Sequence, residues 1–174
     1  PRGLGRAMSE GLAEAGAAVV LNDIDADRLT TAATEMRAAG HTVHEALFDV
    51  TDEDAIVAAF ERFDAEGIEI DILINNAGIQ LRKPMVELPT SDWRRVIETN
   101  LTSAFVIGRE AAKRMIPRGH GKIINIGSLT SEVARATVAP YTAAKGGIQP
   151  LTRPMAAERA ASGIQANALW PGHM

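Results

Sequence analysis

The sequence contains no cysteine among its 174 residues. Disulfide bonds, thiol nucleophiles and thiolate metal ligands are therefore excluded from the chemistry of this chain. The chain also lacks an apolar run that approaches the ~20 residues needed for a membrane-spanning helix. His41 and His44 stand three apart on a predicted strand and would face opposite sides, so we predict no metal site. A membrane partner is likewise not expected.

Clusters of basic residues are absent as well. The formal net charge is -4, and lysine and arginine are scattered along the chain, so no nucleic-acid partner is predicted. Apolar residues make up 46% and charged residues 23% of the composition, which is typical of a globular protein. Because no secretory signal opens the sequence as given, we expect a soluble protein of the cytoplasm.

The sequence does contain a regular alternation of two kinds of segment. Short apolar, β-branched runs suited to buried strands cover 17–23, 42–48, 70–74, 122–126 and 164–169. Segments with helical periodicity fill the intervals between them. This alternation predicts an α/β fold with a doubly wound parallel sheet of the Rossmann type, in a single domain over residues 1–174.

Local signals predict several helix boundaries and one buried helix face. Thr51 begins a T-x-x-D capping signal, and Ser91 or Asp92 can cap a long helix further along. The core positions predicted for that long helix are Trp93, Val96, Ile97, Leu101, Phe105 and Ile107.

Tyr141 and Lys145 stand four residues apart, so they share one face if their segment is helical. An ammonium held beside a phenol stabilises the phenolate, which would make Tyr141 a usable proton donor or acceptor. The spacing alone is common on surface helices, so this interpretation depends on the rest of the chain. Pro150 and Pro154 follow in the same segment, and either the helix breaks after Ile148 or some residues are misassigned.

Polar and glycine residues recur just beyond the predicted strands, where a doubly wound sheet binds its ligands. The turn Gly3-Leu4-Gly5 precedes a helix and would let backbone amides approach a pyrophosphate, although it can also be a simple tight turn. Asp23 ends a strand and could accept hydrogen bonds from ribose hydroxyls, or serve only as an acid at a helix N-terminus. Asp49 could accept a hydrogen bond from an adenine amino group.

An ordered series of motifs resembles the short-chain dehydrogenase/reductase family. The series comprises Gly3-Leu4-Gly5, Asp23, Asp49-Val50, Asn75-Asn76-Ala77-Gly78, Asn100, Ser128, Tyr141-x-x-x-Lys145 and Pro171-Gly172. The resemblance covers essentially the whole chain, and the 13-residue separation of Ser128 from Tyr141 is the one this family uses. It implies an oxidoreductase that transfers a hydride between a nicotinamide cofactor and a small-molecule substrate.

The resemblance also implies a role for each motif residue. Ser128 would hydrogen-bond the substrate oxygen, and Tyr141 would exchange a proton with it. Lys145 would hold the nicotinamide ribose and stabilise the Tyr141 phenolate, while Asn100 would open the backbone of its helix and hold a water linked to Lys145. The implied cofactor contacts come from Arg2, Gly3, Leu4, Gly5, Asp23, Asp49, Val50, Asn75, Ala77, Gly78, Tyr141, Lys145, Pro171 and Gly172.

Two residues give opposite indications about the cofactor. Asp23 favours NAD, because a carboxylate at the ribose repels a 2′-phosphate. Arg2 stands where relatives that prefer NADP often carry a basic residue. We predict NAD, with NADP as the alternative.

The segments 75–84, 124–141 and 151–155 are similar to family members that act on a sugar acid, gluconate or 5-keto-gluconate. Arg82 is predicted to bind the substrate carboxylate, because a planar guanidinium can pair with it through two hydrogen bonds. Glu132 and Arg135 are further candidates for substrate contacts. The alternatives are a reductase of another carbonyl compound, such as a 3-oxoacyl thioester or another sugar or polyol, and a non-catalytic nucleotide-binding relative.

The resemblance carries two expectations about the extent and assembly of the protein. The first strand of the family would precede Pro1, and relatives continue beyond Met174, so we expect this chain to be a fragment that is unstable and inactive as written. Relatives associate through the helices that bear Asn100 and Tyr141, and a homo-oligomer, either a dimer or a tetramer, is therefore expected.

Overall fold

The computed structural model describes residues 3–133 and 135–172. All strand pairs within them are parallel, and helices connect successive strands, as the sequence predicts. The hydrogen bonds divide the strands into a two-stranded sheet and a three-stranded sheet. The chain also separates into two compact units, with the division between Ala59 and Phe60.

The first unit contains helices on a two-stranded sheet. Its elements are α1 (Gly3–Glu14), β1 (Val19–Asp23), α2 (Ala26–Ala38) and β2 (Val43–Leu47), followed by α3 (Glu53–Ala65), which spans the division. β1 pairs with β2 from Val19 opposite Val43 onward. The apolar faces of α1 and α2 and the two strands form one core: Ala13, Val19, Leu21, Leu29, Ala32, Ala33, Met36 and Val43.

Aspartate side chains cap two helices of this unit, and one cap predicted from the sequence is wrong. Asp25 caps α2 by accepting a hydrogen bond of 3.0 Å from the Arg28 amide. At the start of α3, the residue that accepts from a helix amide is Asp52, which receives the Ala55 amide at 3.0 Å. The prediction that Thr51 provides this cap is wrong, because its hydroxyl and amide both donate to Asp49 instead.

The second unit contains the three-stranded sheet, in the order β3-β4-β5. Its strands are β3 (Ile72–Asn75), β4 (Gly121–Ile126) and β5 (Ile164–Leu169). Its helices are α4 (Thr90–Ile97), α5 (Ser103–Arg118) and α6 (Ala139–Arg159). Because the strands are parallel, their carboxyl ends lie at one edge of this sheet.

The predicted long helix is two α-helices joined by a π-helical turn, Glu98–Thr102. Val96 and Ile107 are buried as predicted, but Phe105 and Trp93 are 46% and 39% exposed. The π turn inserts an extra residue into the helical repeat, so a periodicity extended across it assigns Phe105 to the wrong face. The predicted cap is also wrong, since Pro89 precedes α4 and no side chain caps this helix.

α6 continues through its two interior prolines, Pro150 and Pro154. It spans Ala139–Arg159, so the helix does not break after Ile148, which was one of the two alternatives considered from the sequence. Between the two prolines, the Thr152 hydroxyl donates a hydrogen bond of 2.7 Å to the Ile148 carbonyl. Within the described residues, no helix is long and apolar enough to cross a membrane.

Candidate active site

Tyr141 and Lys145 lie in the first two turns of α6. Lys145 is 4% exposed, and its Nζ donates a hydrogen bond of 2.5 Å to the carbonyl of Ile126, the last residue of β4. The same Nζ lies 6.0 Å from the centroid of the Tyr141 ring. The phenol and the ammonium therefore share one face of α6, beside the carboxyl end of β4.

Burial controls the protonation of Lys145. Removal from water disfavours the charged ammonium and lowers the pKa of Lys145 to about 8. A group with that pKa is still mostly protonated at neutral pH. A cation therefore remains next to the Tyr141 ring under ordinary conditions.

Ser128 lies where the chain leaves β4 and enters a short 3-10 turn, Leu129–Ser131. Its Oγ accepts hydrogen bonds from the Thr130 amide, at 3.3 Å, and from the Thr130 hydroxyl, at 2.9 Å. The Ser131 hydroxyl donates to the Ser128 carbonyl at 2.6 Å. Both the side chain and the backbone of Ser128 are thus fixed by hydrogen bonds within the turn.

The residues after β5 reach the same turn. The indole N–H of Trp170 donates a hydrogen bond of 3.1 Å to Ser131 Oγ, and a side chain at Gly127 would lie 3.0 Å from the indole nitrogen. Pro171 and Gly172 follow directly. The motif after β5 therefore lies at the sheet edge that carries the Ser128 turn.

Asn100 lies within the π turn and is buried. Its Oδ1 accepts from the Ile79 amide at 2.7 Å, and its Nδ2 donates to the Ile79 carbonyl at 2.8 Å. This pair of bonds ties the turn to the loop after β3, where Gly78 lies next to the Asn100 side chain. The locally open helix that the resemblance implies is present at Asn100.

A chain of polar side chains, half-buried at Asn75 and buried at Asn125 and Thr152, connects β3, β4 and α6. Asn75 Nδ2 donates to Asn125 Oδ1 at 2.8 Å and to the Ala104 carbonyl at 3.3 Å. Asn125 Nδ2 donates in turn to Thr152 Oγ1 at 2.9 Å. The Asn75 side chain is therefore engaged within the protein, and the predicted cofactor contacts of this motif depend on the loop that follows it, Asn76-Ala77-Gly78.

In the first unit, the predicted phosphate turn forms the start of α1. Gly3 is its first residue and has φ +57°, a left-handed conformation that disfavours any side chain. Leu4 and Gly5 complete the first turn of α1. A helix N-terminus without a β-carbon at its first residue fits the pyrophosphate of a dinucleotide. The predicted contact from Arg2 lies outside the described residues.

Asp23 ends β1 and is held by its neighbours. Its Oδ1 accepts from Arg28 Nη2 at 2.8 Å and from the Asp25 amide at 3.0 Å, and its Oδ2 lies 3.4 Å from Arg28 Nε. Partial burial alone would raise the pKa of Asp23, but the hydrogen bonds from Arg28 and Asp25 outweigh it and hold that pKa well below its usual range. Asp23 is therefore a carboxylate paired with an arginine.

Asp49 and Val50 follow β2 at the same end of this sheet as Asp23. Asp49 Oδ1 accepts from both the amide and the hydroxyl of Thr51, each at 2.8 Å. These bonds use one carboxylate oxygen of Asp49. The orientation of its side chain is thus set by the turn before α3.

The predicted substrate residues lie on two exposed loops. Arg82 follows β3, while Glu132 and Arg135 follow the Ser128 turn, and all three side chains are exposed. The Lys83 amide donates a hydrogen bond of 2.8 Å to the Thr137 carbonyl and so joins the two loops. Thr137 has φ +70°, a strained conformation for a β-branched residue. The loops that carry Arg82 and Arg135 are therefore held side by side.

Six side chains of these networks were not singled out from the sequence: Arg28, Asn125, Thr130, Ser131, Thr152 and Trp170. Asn125 carried a readable signal, because it is polar inside the otherwise apolar end of β4, INI. Arg28, Thr130 and Thr152 had no comparable signal. Their partners are set by turn geometry and by contacts across the fold.

Comparison with known proteins identifies the family. A family model described as short chain dehydrogenase matches residues 1–174. The chain belongs to the short-chain dehydrogenase family. It is therefore an NAD(P)-dependent oxidoreductase, and the predicted family, enzyme class and Rossmann-type fold are confirmed.

The similarity to individual members is high. Over 172 residues the chain is 45% identical to a gluconate 5-dehydrogenase of Gluconobacter oxydans, covering 99% of this chain and 67% of that protein. The crystal structure of a provisionally named gluconate dehydrogenase of Agrobacterium tumefaciens is 67% identical with a TM-score of 0.97, and covers 99% of this chain and 68% of that one. A gluconate 5-dehydrogenase of Burkholderia cenocepacia, solved in complex with NADP and tartrate, is 46% identical with a TM-score of 0.94 and has the same coverage. The chain thus spans about two thirds of each of these proteins.

The burial of Lys145 predicts a specific dependence of stability on pH. Its pKa falls from 10.5 to about 8 on folding, so the unfolded chain binds more protons between those values. The free energy of unfolding therefore gains a contribution that rises from about pH 8 to 10.5 and is least favourable below about pH 8. We expect urea unfolding of the full-length protein, without cofactor, to show this rise, and Lys145→Met to lack it. An equal rise in both proteins would contradict the burial of the ammonium.

Proposed function

We propose that this protein interconverts a sugar acid and the corresponding keto acid, with gluconate and 5-keto-gluconate as the favoured pair. The observation that carries the proposal is the shared helix face of Tyr141 and Lys145, at the sheet edge where the Ser128 turn begins. The sugar-acid substrate is supported by the names of the gluconate dehydrogenases that the chain resembles.

In this proposal Ser128 and Tyr141 act on the substrate oxygen, and Lys145 acts through Tyr141. The bound nicotinamide supplies or accepts the hydride at the neighbouring carbon. Ser128 donates a hydrogen bond to the oxygen, and Tyr141 gives its proton to that oxygen in reduction or takes one in oxidation. The Lys145 ammonium stabilises the phenolate form of Tyr141 through its charge. Asn100 acts indirectly, since its side chain is bonded to Ile79 and holds the π turn open.

The proposed cofactor contacts fall into two sets, one for each half of the dinucleotide. Gly3, Leu4, Gly5, Asp23, Asp49 and Val50 are proposed to contact the adenosine and pyrophosphate, together with Arg2. Ala77, Gly78, Tyr141, Lys145, Pro171 and Gly172 are proposed to contact the nicotinamide ribose and ring. Asn75 is proposed to act through its backbone and its bond to Asn125, since its side-chain nitrogen is already engaged.

We propose that the cofactor site accepts NADP as well as NAD. Asp23 alone would repel a 2′-phosphate, which is why the sequence favours NAD. Its salt bridge to Arg28, at 2.8 Å, offsets that charge, and the Arg28 side chain is 41% exposed beside it. An exposed guanidinium at this place can pair with a phosphate. The NADP found in the Burkholderia cenocepacia relative supports this proposal.

Substrate binding is proposed to depend on Arg82. Its exposed guanidinium pairs with none of the described residues, and its loop is joined to that of Arg135 by the hydrogen bond from Lys83 to Thr137. Arg82 would bind the carboxylate of the sugar acid, and Glu132 and Arg135 would contact its remaining polar groups.

The proposed reaction is tested with a substrate panel on the full-length protein. We expect oxidation of gluconate and reduction of 5-keto-gluconate to exceed turnover of neutral polyols and of a 3-oxoacyl thioester, as followed by the absorbance of reduced nicotinamide. Tyr141→Phe should lower kcat by about 10²-fold or more, because the proton donor is lost. A Phe variant that keeps most of the activity would rule out the proposed role of Tyr141.

The carboxylate contact is tested with Arg82→Ala. We expect KM for gluconate to rise about tenfold, with little change for a neutral polyol, because only the acid loses a charge-assisted hydrogen bond. Arg94→Ala is the matched control, since Arg94 is another exposed arginine of the same unit, on α4. Equal effects of Arg82→Ala on acids and neutral polyols would discard the carboxylate contact.

Cofactor choice is tested by titrating the full-length protein with NAD and NADP and measuring binding by calorimetry. Arg28→Ala should weaken NADP binding about tenfold and change NAD binding little, because the phosphate loses its cation while Asp23 remains. Asp23→Asn should shift the preference toward NADP relative to the wild type. Arg28→Lys retains the charge and should lie between the wild type and Arg28→Ala. Equal losses for both cofactors in Arg28→Ala would show that Arg28 only supports the fold.

A further inference from the structure

The Ser128 hydroxyl has only one hydrogen-bonding direction left. A serine oxygen carries two lone pairs and one proton. In this structure the oxygen accepts from the Thr130 amide at 3.3 Å and from the Thr130 hydroxyl at 2.9 Å. The amide is able only to donate, so it occupies one lone pair whatever the orientation of the hydroxyl groups. When the Thr130 hydroxyl donates to the second lone pair, the Ser128 proton is the group that remains for a ligand.

We propose that Thr130 is a positioning residue that keeps Ser128 as a hydrogen-bond donor to the substrate oxygen in both directions of the reaction. The proposal rests on the function proposed above and extends it to a residue that does not touch the substrate. Thr130 is 4% exposed and follows Ser128 by two residues in the 3-10 turn. Its side chain is therefore fixed in the protein interior while that of Ser128 is available at the sheet edge.

The fixed direction matters because two hydroxyl groups lie at the same substrate oxygen. In reduction, the carbonyl carbon gains the hydride, its oxygen becomes negative, and Tyr141 transfers its proton to that oxygen. In oxidation, the substrate hydroxyl must give its proton to Tyr141 as the hydride leaves. If the Ser128 hydroxyl were free to rotate, its oxygen could accept a hydrogen bond from the substrate hydroxyl. Ser128 would then compete with Tyr141 for that proton. Holding Ser128 as a donor removes this unproductive arrangement and stabilises the negative oxygen.

The rest of the turn supports the same geometry through the backbone. Ser131 Oγ donates to the Ser128 carbonyl at 2.6 Å, and the Trp170 indole donates to Ser131 Oγ at 3.1 Å. These bonds place the Ser128 backbone, whereas the bonds from Thr130 orient its hydroxyl. Loss of the Thr130 hydroxyl should thus change the direction of the Ser128 proton without moving the turn. A hydrogen bond donated to an oxygen also makes that hydroxyl a better donor.

The experiment compares Thr130→Val with Thr130→Ser in the full-length protein, using gluconate and 5-keto-gluconate. Valine keeps the shape of the threonine side chain and removes the hydroxyl, whereas serine retains the hydroxyl. We expect Thr130→Val to lower kcat about tenfold in both directions, with KM for the cofactor unchanged, and Thr130→Ser to remain within about twofold of the wild type. Thr142→Val is the matched control, because the buried Thr142 hydroxyl has no hydrogen-bond partner among the described residues. It should leave kcat unchanged.

A double-mutant cycle with Ser128→Ala separates this role from a general effect on the fold. If Thr130 acts through Ser128, Thr130→Val has no further effect on kcat in the Ser128→Ala background. The proposal is overturned if Thr130→Val lowers kcat equally in both backgrounds, if it has no effect in the wild type, or if Thr130→Ser is as impaired as Thr130→Val. Should valine prevent folding, as judged by circular dichroism, Thr130→Ala replaces it in the same comparison with serine. Full activity of Ser128→Ala would instead contradict the proposed function. A failure of the Thr130 proposal can therefore be distinguished from a failure of the proposed function.

Discussion

The buried ammonium of Lys145 is the constraint on which the geometry of the candidate site depends. Burying a charge costs free energy unless polar groups form hydrogen bonds with it. Here Nζ donates a hydrogen bond of 2.5 Å to the Ile126 carbonyl. That carbonyl ends β4, so the same hydrogen bond that offsets the desolvation of the lysine also fixes α6 against the sheet. Tyr141 is then held one turn away on the same face, and Ser128 follows Ile126 by two residues. One electrostatic requirement therefore places all three side chains.

Two prolines weaken the C-terminal half of α6, the helix that this hydrogen bond fixes against the sheet. Pro150 and Pro154 each remove an amide donor from the helix, and a proline ring crowds the carbonyl four residues earlier. The Thr152 hydroxyl bonds to the Ile148 carbonyl and also accepts from Asn125, which in turn is bonded to Asn75. The weakened half of α6 is thus tied to β4 and β3 through a buried polar chain. The half that carries Tyr141 and Lys145 is free of prolines after its first turn.

The sequence predicted the parts of this protein that depend on local pattern. Strand and helix alternation located all five strands to within about two residues. The ordered motifs identified the family, because every motif except Asn100 lies at a strand end or a helix start. The face of α5 was predicted less well, since a π turn is invisible to a periodicity of 3.6 residues and displaced Phe105. The helix break that the prolines of α6 suggested is also absent. Proline propensity is local, whereas the Thr152 to Asn125 bond that ties this half of α6 to β4 joins residues 27 positions apart.

The same distinction explains why the motif residues were visible and their supporting residues were not. Ser128, Asp23 and Asn100 each have a polar side chain whose direction is decided by a neighbour: Thr130, Arg28 and the Ile79 backbone. Spacing in the sequence locates the first member of each pair, because its position relative to the strand ends is fixed by the fold. It does not show whether a carboxylate is paired with a cation, or which way a hydroxyl proton points. Those properties determine whether Asp23 repels a phosphate and whether Ser128 donates or accepts, so the chemistry of the site depends on contacts that only the folded chain makes.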